Sequence, residues 1–308
     1  MRKIKDKMFV VMLSFFIIFA FFVSFMGIND VVEHEKVMKF LEDDLVRQCQ
    51  ELDRNVASEE NLDFCDKVLG DDYERYKRTA YETYDYYVLE IVRKYCNEFV
   101  LILIIVIGST FYVTKFLRSR VILNELVRNN YNDVKKKLFF SSWKYSLLVS
   151  LMLFIIFIII ILFVGNIELN VYHLSNTIFS SNILVYFGVL LLNAFILTLI
   201  YTNISLIVAR KEHNYILAVI KSYILIIGIE IFFEVILYNI IFKLFGSSFG
   251  AYFNLLAVYN YSYTDENLLV IWLLIAILII TFVILHYRYR NKEKLVIDCE
   301  KNDNKEED

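Results

Sequence analysis

The sequence predicts an all-α integral membrane protein: six transmembrane helices with a helical extracellular hairpin between spans one and two. Hydrophobic residues make up 58% of the 308, and the mean hydropathy is +0.53. Six apolar runs approach or reach the ~20 residues that cross a bilayer core of ~30 Å. Lys and Arg cluster in alternate segments between those runs, as the cytoplasmic bias of short basic loops requires. This composition excludes an ordinary soluble domain.

The runs are Met8 to Gly27, Phe99 to Val113, Tyr145 to Val164, Ile183 to Val208, Tyr215 to Phe242 and Leu268 to Tyr287. The second is short, but Phe111, Tyr112 and Phe116 extend it into the interfacial zone that aromatic rings favour. The chain has no proline, so any break in a span must come from Gly, Ser, Asn or a buried charge. Mostly long, straight helices are expected. The first run is about 19 residues, longer than a signal-peptide core, and Ser24 to Gly27 lacks an A-x-A cleavage pattern, so it reads as a retained anchor.

Orientation follows from the short flanks. Arg2, Lys3, Lys5 and Lys7, the segment 115–144, Arg210 with Lys211, and Arg288, Arg290, Lys292 and Lys294 all fall on one side of a six-span chain. Both termini are therefore expected in the cytoplasm. The domains expected are 1–27 (N-terminus and span one), 28–98 (extracellular hairpin), 99–287 (five-span bundle with the cytoplasmic segment 115–144) and 288–308 (charged tail).

The external segment Asn29 to Glu98 carries 19 acids and 10 bases. Met38, Leu41, Leu45, Cys49, Leu52 and Val56 share one helical face; Tyr73, Tyr76, Ala80, Tyr84, Tyr87, Ile91 and Tyr95 share another. Two helices continuing spans one and two outward are expected, with a break at Ser58 to Gly70. The tyrosines read as a helix–helix seam or as a ligand surface. Cys49, Cys65 and Cys96 allow one external disulfide, the pair undetermined; their odd count favours packing residues over a disulfide framework.

Catalytic motifs are sparse. Gly246-Ser247-Ser248-Phe249-Gly250 matches G-x-S-x-G, but the α/β sheet that would hold a Ser248 nucleophile against His173 or His34 is missing from the pattern. Small residues that let the chain turn against its neighbours are the simpler reading. No G-x-x-x-x-G-K-[ST] phosphate loop is present, so the chain is expected to bind no cofactor and to be no enzyme. Inside the spans, Glu230 and Glu234 lie four residues apart on one face of span five, with Lys221 near its inner edge. A mid-membrane acid costs several kcal/mol unless it faces a bundle interior, a cavity or a partner. These three residues are candidates for a translocation path, or for hydrogen bonds to span four, for instance to Asn193 or Asn203.

The segment 115–144 holds eight bases (Lys115, Arg118, Arg120, Arg128, Lys135, Lys136, Lys137, Lys144) and two acids (Glu125, Asp133). An apolar stripe runs Leu123, Val127, Tyr131, Val134, Leu138. Its order is an amphipathic helix to Arg128, a turn at Asn129-Asn130-Tyr131-Asn132, then Lys135-Lys136-Lys137 and Lys144 opening span three. With the six-span layout, this order resembles the membrane subunit of ATP-binding-cassette exporters of the type-2 permease family. Phe245 to Asn260 looks like that family's short outer helices, although the prolines common in its members are missing here.

The resemblance implies a bacterial cell-membrane permease that exports an amphipathic peptide, drug or lipid. Arg118, Leu123, Glu125, Leu126 and Arg128 would dock a cytoplasmic ATP-binding subunit, with ATP and Mg held on that partner. A second permease subunit, identical or different, is expected, with membrane lipids and no nucleic acid as further partners. The basic segment also suits anionic lipids, at about 1 kcal/mol per base near the surface. The alternative reading is a non-transporting sensor or bacteriocin-immunity protein whose extracellular hairpin binds a ligand.

Overall fold

The computed structural model describes residues 7–52, 58–70, 78–79, 88, 90–95, 98–118, 121–164, 167–168, 183–212, 214–245, 268–293 and 295–296. The side chains of Arg118, Leu123 and Glu234 fall outside this description, as do the Gly246 to Gly250 motif, His173, Cys96, Cys299 and most of the tyrosine-bearing half of the expected hairpin.

The described residues are overwhelmingly helical: α1 (Lys7–Glu51), α2 (Glu59–Leu69), α3 (Glu90–Tyr95), α4 (Glu98–Arg118), α5 (Val121–Arg128), α6 (Tyr131–Trp143), α7 (Ser146–Val164), α8 (Ile183–Ala209), α9 (Tyr215–Ile231), α10 (Tyr238–Phe245) and α11 (Leu268–Arg288). Two two-residue segments, Arg78–Thr79 and Ile167–Glu168, pair in parallel. Five stretches are helices long and apolar enough to cross a membrane, Lys7–Glu51, Phe99–Leu117, Tyr131–Phe163, Phe187–Ala209 and Tyr215–Leu244; Trp272–Arg288 is a shorter apolar helix.

α1 does not stop at the end of its apolar run. It continues through a charged stretch to Glu51, roughly 65 Å in all at ~1.5 Å per residue, because no proline interrupts it. Its outer part holds local pairs such as Arg47 to Asp44 at 2.6 Å. Gly27 lies against Ile91, and a Cβ there would collide with that side chain. Just beyond, Lys94 (2.8 Å) and the Tyr95 hydroxyl (3.0 Å) both donate to Asp30 Oδ2, so α3 is clamped to α1. The hydrogen bond from Lys94 to Asp30 holds the Lys94 ammonium above its ordinary value.

The expected break at Ser58 to Gly70 is instead the helix α2. Ser58 caps it by accepting from the Asn61 N–H at 3.4 Å, and Glu59 and Glu60 sit in its electropositive first turn. Cys65 bonds to Cys49, tying α2 to the end of α1 with the Cα atoms 5.2 Å apart. Of the external cysteines, Cys49 and Cys65 thus form the one disulfide the sequence allowed without choosing its pair, because α2 turns back along α1.

α8 is the hub of the bundle. It packs against α4, α6, α7, α9 and α11, whereas α1 packs chiefly on α7. Two apolar cores result. The larger runs through the spans from Phe16 and Ile105 to Met152, Leu197 and Leu274; the second gathers Phe116, Ile122, Leu126, Leu138, Leu206 and Leu285 at the end of the bundle that holds the basic segment. Gly108 on α4 admits the buried Tyr145 ring, which lies 2.7 Å from where a Cβ would stand.

Span five departs from a straight helix. A π turn, Phe232–Leu237, separates α9 from α10 and begins two residues after the buried Glu230. Such a turn is an established source of helix irregularity without proline.

Candidate functional site

At the basic end, α5 and α6 form a helix–turn–helix. The α5 backbone ends with the Asn129 N–H donating to the Glu125 carbonyl at 2.9 Å, and Asn130 caps α6 in extended conformation. The turn is shorter than expected, since Tyr131 and Asn132 already belong to α6. Glu125 fastens the two helices: its carboxylate takes the Lys137 ammonium at 2.9 Å and the Asn129 amide at 2.8 Å. That makes Glu125 an internal brace as well as a candidate docking residue.

The turn also resets the helical phase, so the expected single stripe from Leu123 to Leu138 is not one surface. Val134 and Leu138 are buried, while Val127 is 87% exposed. Leu126, expected on the docking face, is 8% exposed and packs inward with Ile122 in the second core. Asn124, Val127 and Arg128 form the exposed edge. An eight-residue amphipathic helix puts its apolar face toward the bundle first, leaving the opposite edge exposed.

Beneath this layer, Tyr289 joins three elements. Its hydroxyl donates to the Leu206 carbonyl at 3.0 Å, its own carbonyl accepts from Tyr131 at 2.6 Å, and the buried Arg210 guanidinium stands 5.1 Å from its ring centroid. Arg210, counted in the sequence among the bases that set orientation, is therefore buried against the Tyr289 ring beside the second core.

The interior candidates separate. Glu230 is 6% exposed and accepts the Tyr201 hydroxyl at 2.5 Å from α8. Ser222, Ile226 and Glu230 share the buried face of α9. Lys221 faces out and pairs at 2.7 Å with Glu212, before α9 begins. It is not grouped with Glu230 as a path residue. Glu234 belongs to the π turn, and its side chain lies outside the described residues.

A polar ladder on α8, of which the sequence pointed only to Asn193 and Asn203, ties that helix to its neighbours. Trp143 Nε1 donates to Asn203 Oδ1 at 2.9 Å, and the Asn203 amide donates to Thr281 at 3.4 Å. Thr198 donates to the Ser146 carbonyl at 3.0 Å, Ser146 and Thr202 are 3.1 Å apart, and Ser150 donates to the Leu191 carbonyl at 3.1 Å. The Asn193 amide and the Ser222 hydroxyl are buried and find no partner among the described residues. The Thr198, Thr202 and Ser205 spacing was the available signal, masked by the high average hydropathy of the span.

Comparison with protein families, with curated proteins and with solved structures finds no match.

Proposed function

We propose that the chain is a six-span permease subunit, with α11 as the sixth span and both ends in the cytoplasm, driven by separate ATP-hydrolysing subunits. The observation that carries this reading is the mounting of α5. Ile122 and Leu126 anchor it among the ends of α4, α8 and α11, while Asn124, Val127 and Arg128 form an outward edge. Force applied to that edge reaches several spans at once, because the layer beneath it is close-packed. ATP and Mg belong to the partner, and a second permease subunit completes the pathway for an amphipathic peptide, drug or lipid. Glu230, held by Tyr201, is the interior carboxylate that would meet a cationic group when α8 and α9 separate.

The test is co-purification. Extracted in mild detergent from its native cell, the protein should bring down an ATPase whose turnover it changes. Preparations that never contain such an ATPase would end this reading.

One observation favours a second reading, an external sensor. Beyond its apolar run α1 exposes Val37, Phe40 and Leu41, and the disulfide-tied α2 exposes Phe64. Ligand-dependent protection of these residues, with no ATPase partner, would support it.

A further inference from the structure

A groove with a cavity volume of about 410 Å³ lies between α6 and the last turns of α11, at the basic end of the bundle. Phe139, Phe140, Trp143 and Phe282 line its apolar part, and Lys135 and Lys136 stand at its rim. The walls are held in place. Trp143 is fixed by its hydrogen bond to Asn203, lies tilted against Phe282 with ring centroids 5.9 Å apart, and meets Phe140 edge-on at 5.5 Å. Phe140 nevertheless remains 65% exposed.

Two features say what fills it. Neither Lys135 nor Lys136 is paired with a carboxylate among the described residues; the Lys135 ammonium lies 5.9 Å from the Tyr131 ring centroid instead. One turn before Phe282 on α11, on the side away from the basic end, Ile279 is exposed and leads along the apolar span. A ligand that satisfies both ends has an anionic head and a long hydrocarbon tail. The height is also right, since α6 runs into the apolar α7, and Trp and Lys side chains mark the boundary between headgroups and acyl chains.

We propose that this groove binds one anionic glycerophospholipid, its phosphate between Lys135 and Lys136 and an acyl chain passing Phe140 and Phe282 onto α11. The site rests on the membrane setting of the chain and not on transport, so it stands or falls separately from the ATPase partner.

The experiment uses the full chain in nanodiscs and in mild detergent, titrated with phosphatidylglycerol, phosphatidylcholine or inorganic phosphate, with bound lipid counted by native mass spectrometry. One phosphatidylglycerol should be retained in preference to phosphatidylcholine. Lys135→Gln with Lys136→Gln should weaken it roughly 30-fold, from about 1 kcal/mol per base at the surface. Phe140→Ala should weaken both lipids' tails without changing the preference for the anionic head. As a charge-matched control, Lys211→Gln with Arg290→Gln removes two exposed bases elsewhere on the same end. Equal loss in the control pair, equal retention of phosphatidylcholine, or displacement by millimolar phosphate alone would each overturn the site. Unchanged thermal stability of the groove variants separates lost binding from lost folding.

Discussion

The Tyr201 hydroxyl reaches across from α8 to the Glu230 carboxyl on α9 at 2.5 Å, in a part of the bundle where both residues are buried. This contact gives a buried acid within an apolar helix a hydrogen-bond donor. Tyr201→Phe should cost about 1–3 kcal/mol, the range for leaving a buried polar group short of a partner. Thermal unfolding in detergent checks it; a variant as stable as the parent would mean that other partners carry Glu230.

Leu126 and Val127 are adjacent but face opposite ways. Leu126→Asp places a charge in the second core and should destabilise the fold by 3 kcal/mol or more. Val127→Asp should leave the melting temperature within a degree or two and abolish the ATPase co-purification that the proposed permease reading expects. Retained ATPase binding by Val127→Asp would remove this edge from the contact.

Glu125 and Lys137 brace the helix–turn–helix from partly exposed positions, so their direct coupling should be small, about 0.5 kcal/mol in a double-mutant cycle. The charge-swapped pair Glu125→Lys with Lys137→Glu should restore coupling. Amide exchange across Asn129 and Asn130 reports it, and equal exchange in the single and swapped variants would show the brace is idle.

The Cys49–Cys65 bond closes a separation of 16 residues. Loop-closure entropy puts its contribution near ~3 kcal/mol. Non-reducing peptide mapping should recover the two cysteines in one linked fragment, and Cys65→Ser should speed amide exchange throughout α2. A Cys96-containing fragment linked to either one would contradict the pairing.

Gly108→Ala should destabilise by about 1–3 kcal/mol, since the added methyl meets the buried Tyr145 ring and not a flexible chain end. Tyr145→Leu combined with it should recover part of the loss. Independent, additive effects would separate the two sites.

Of the six expected apolar runs, five were legible as helices long enough to cross a membrane because apolar length alone defines them: Tyr215 begins α9 and Val164 ends α7 as the runs suggest. The basic helix–turn–helix was legible from its Asn-rich turn. Its outward side was not, because the amphipathic pattern gives a face and says nothing of whether the bundle or a partner takes it; Leu126 went inward and Val127 outward. α2 hid in a polar stretch whose signal was local, Ser58 followed by Glu59 and Glu60 and then Cys65 and Val68 on one face. The Glu230 partner was foreseeable only as a polar residue of span four. Tyr201, not Asn193 or Asn203, meets it, since that choice depends on helix rotation.

The hub position of α8 sets a constraint on biosynthesis. α4, α6 and α7 precede it in the chain, yet Trp143, Ser146 and Ser150 find their interhelical partners on it. Until Ile183 and the residues after it have entered the bilayer, those groups face lipid or one another. A nascent chain halted before α8 should therefore remain held by the insertion machinery, and its release should coincide with emergence of the fourth span.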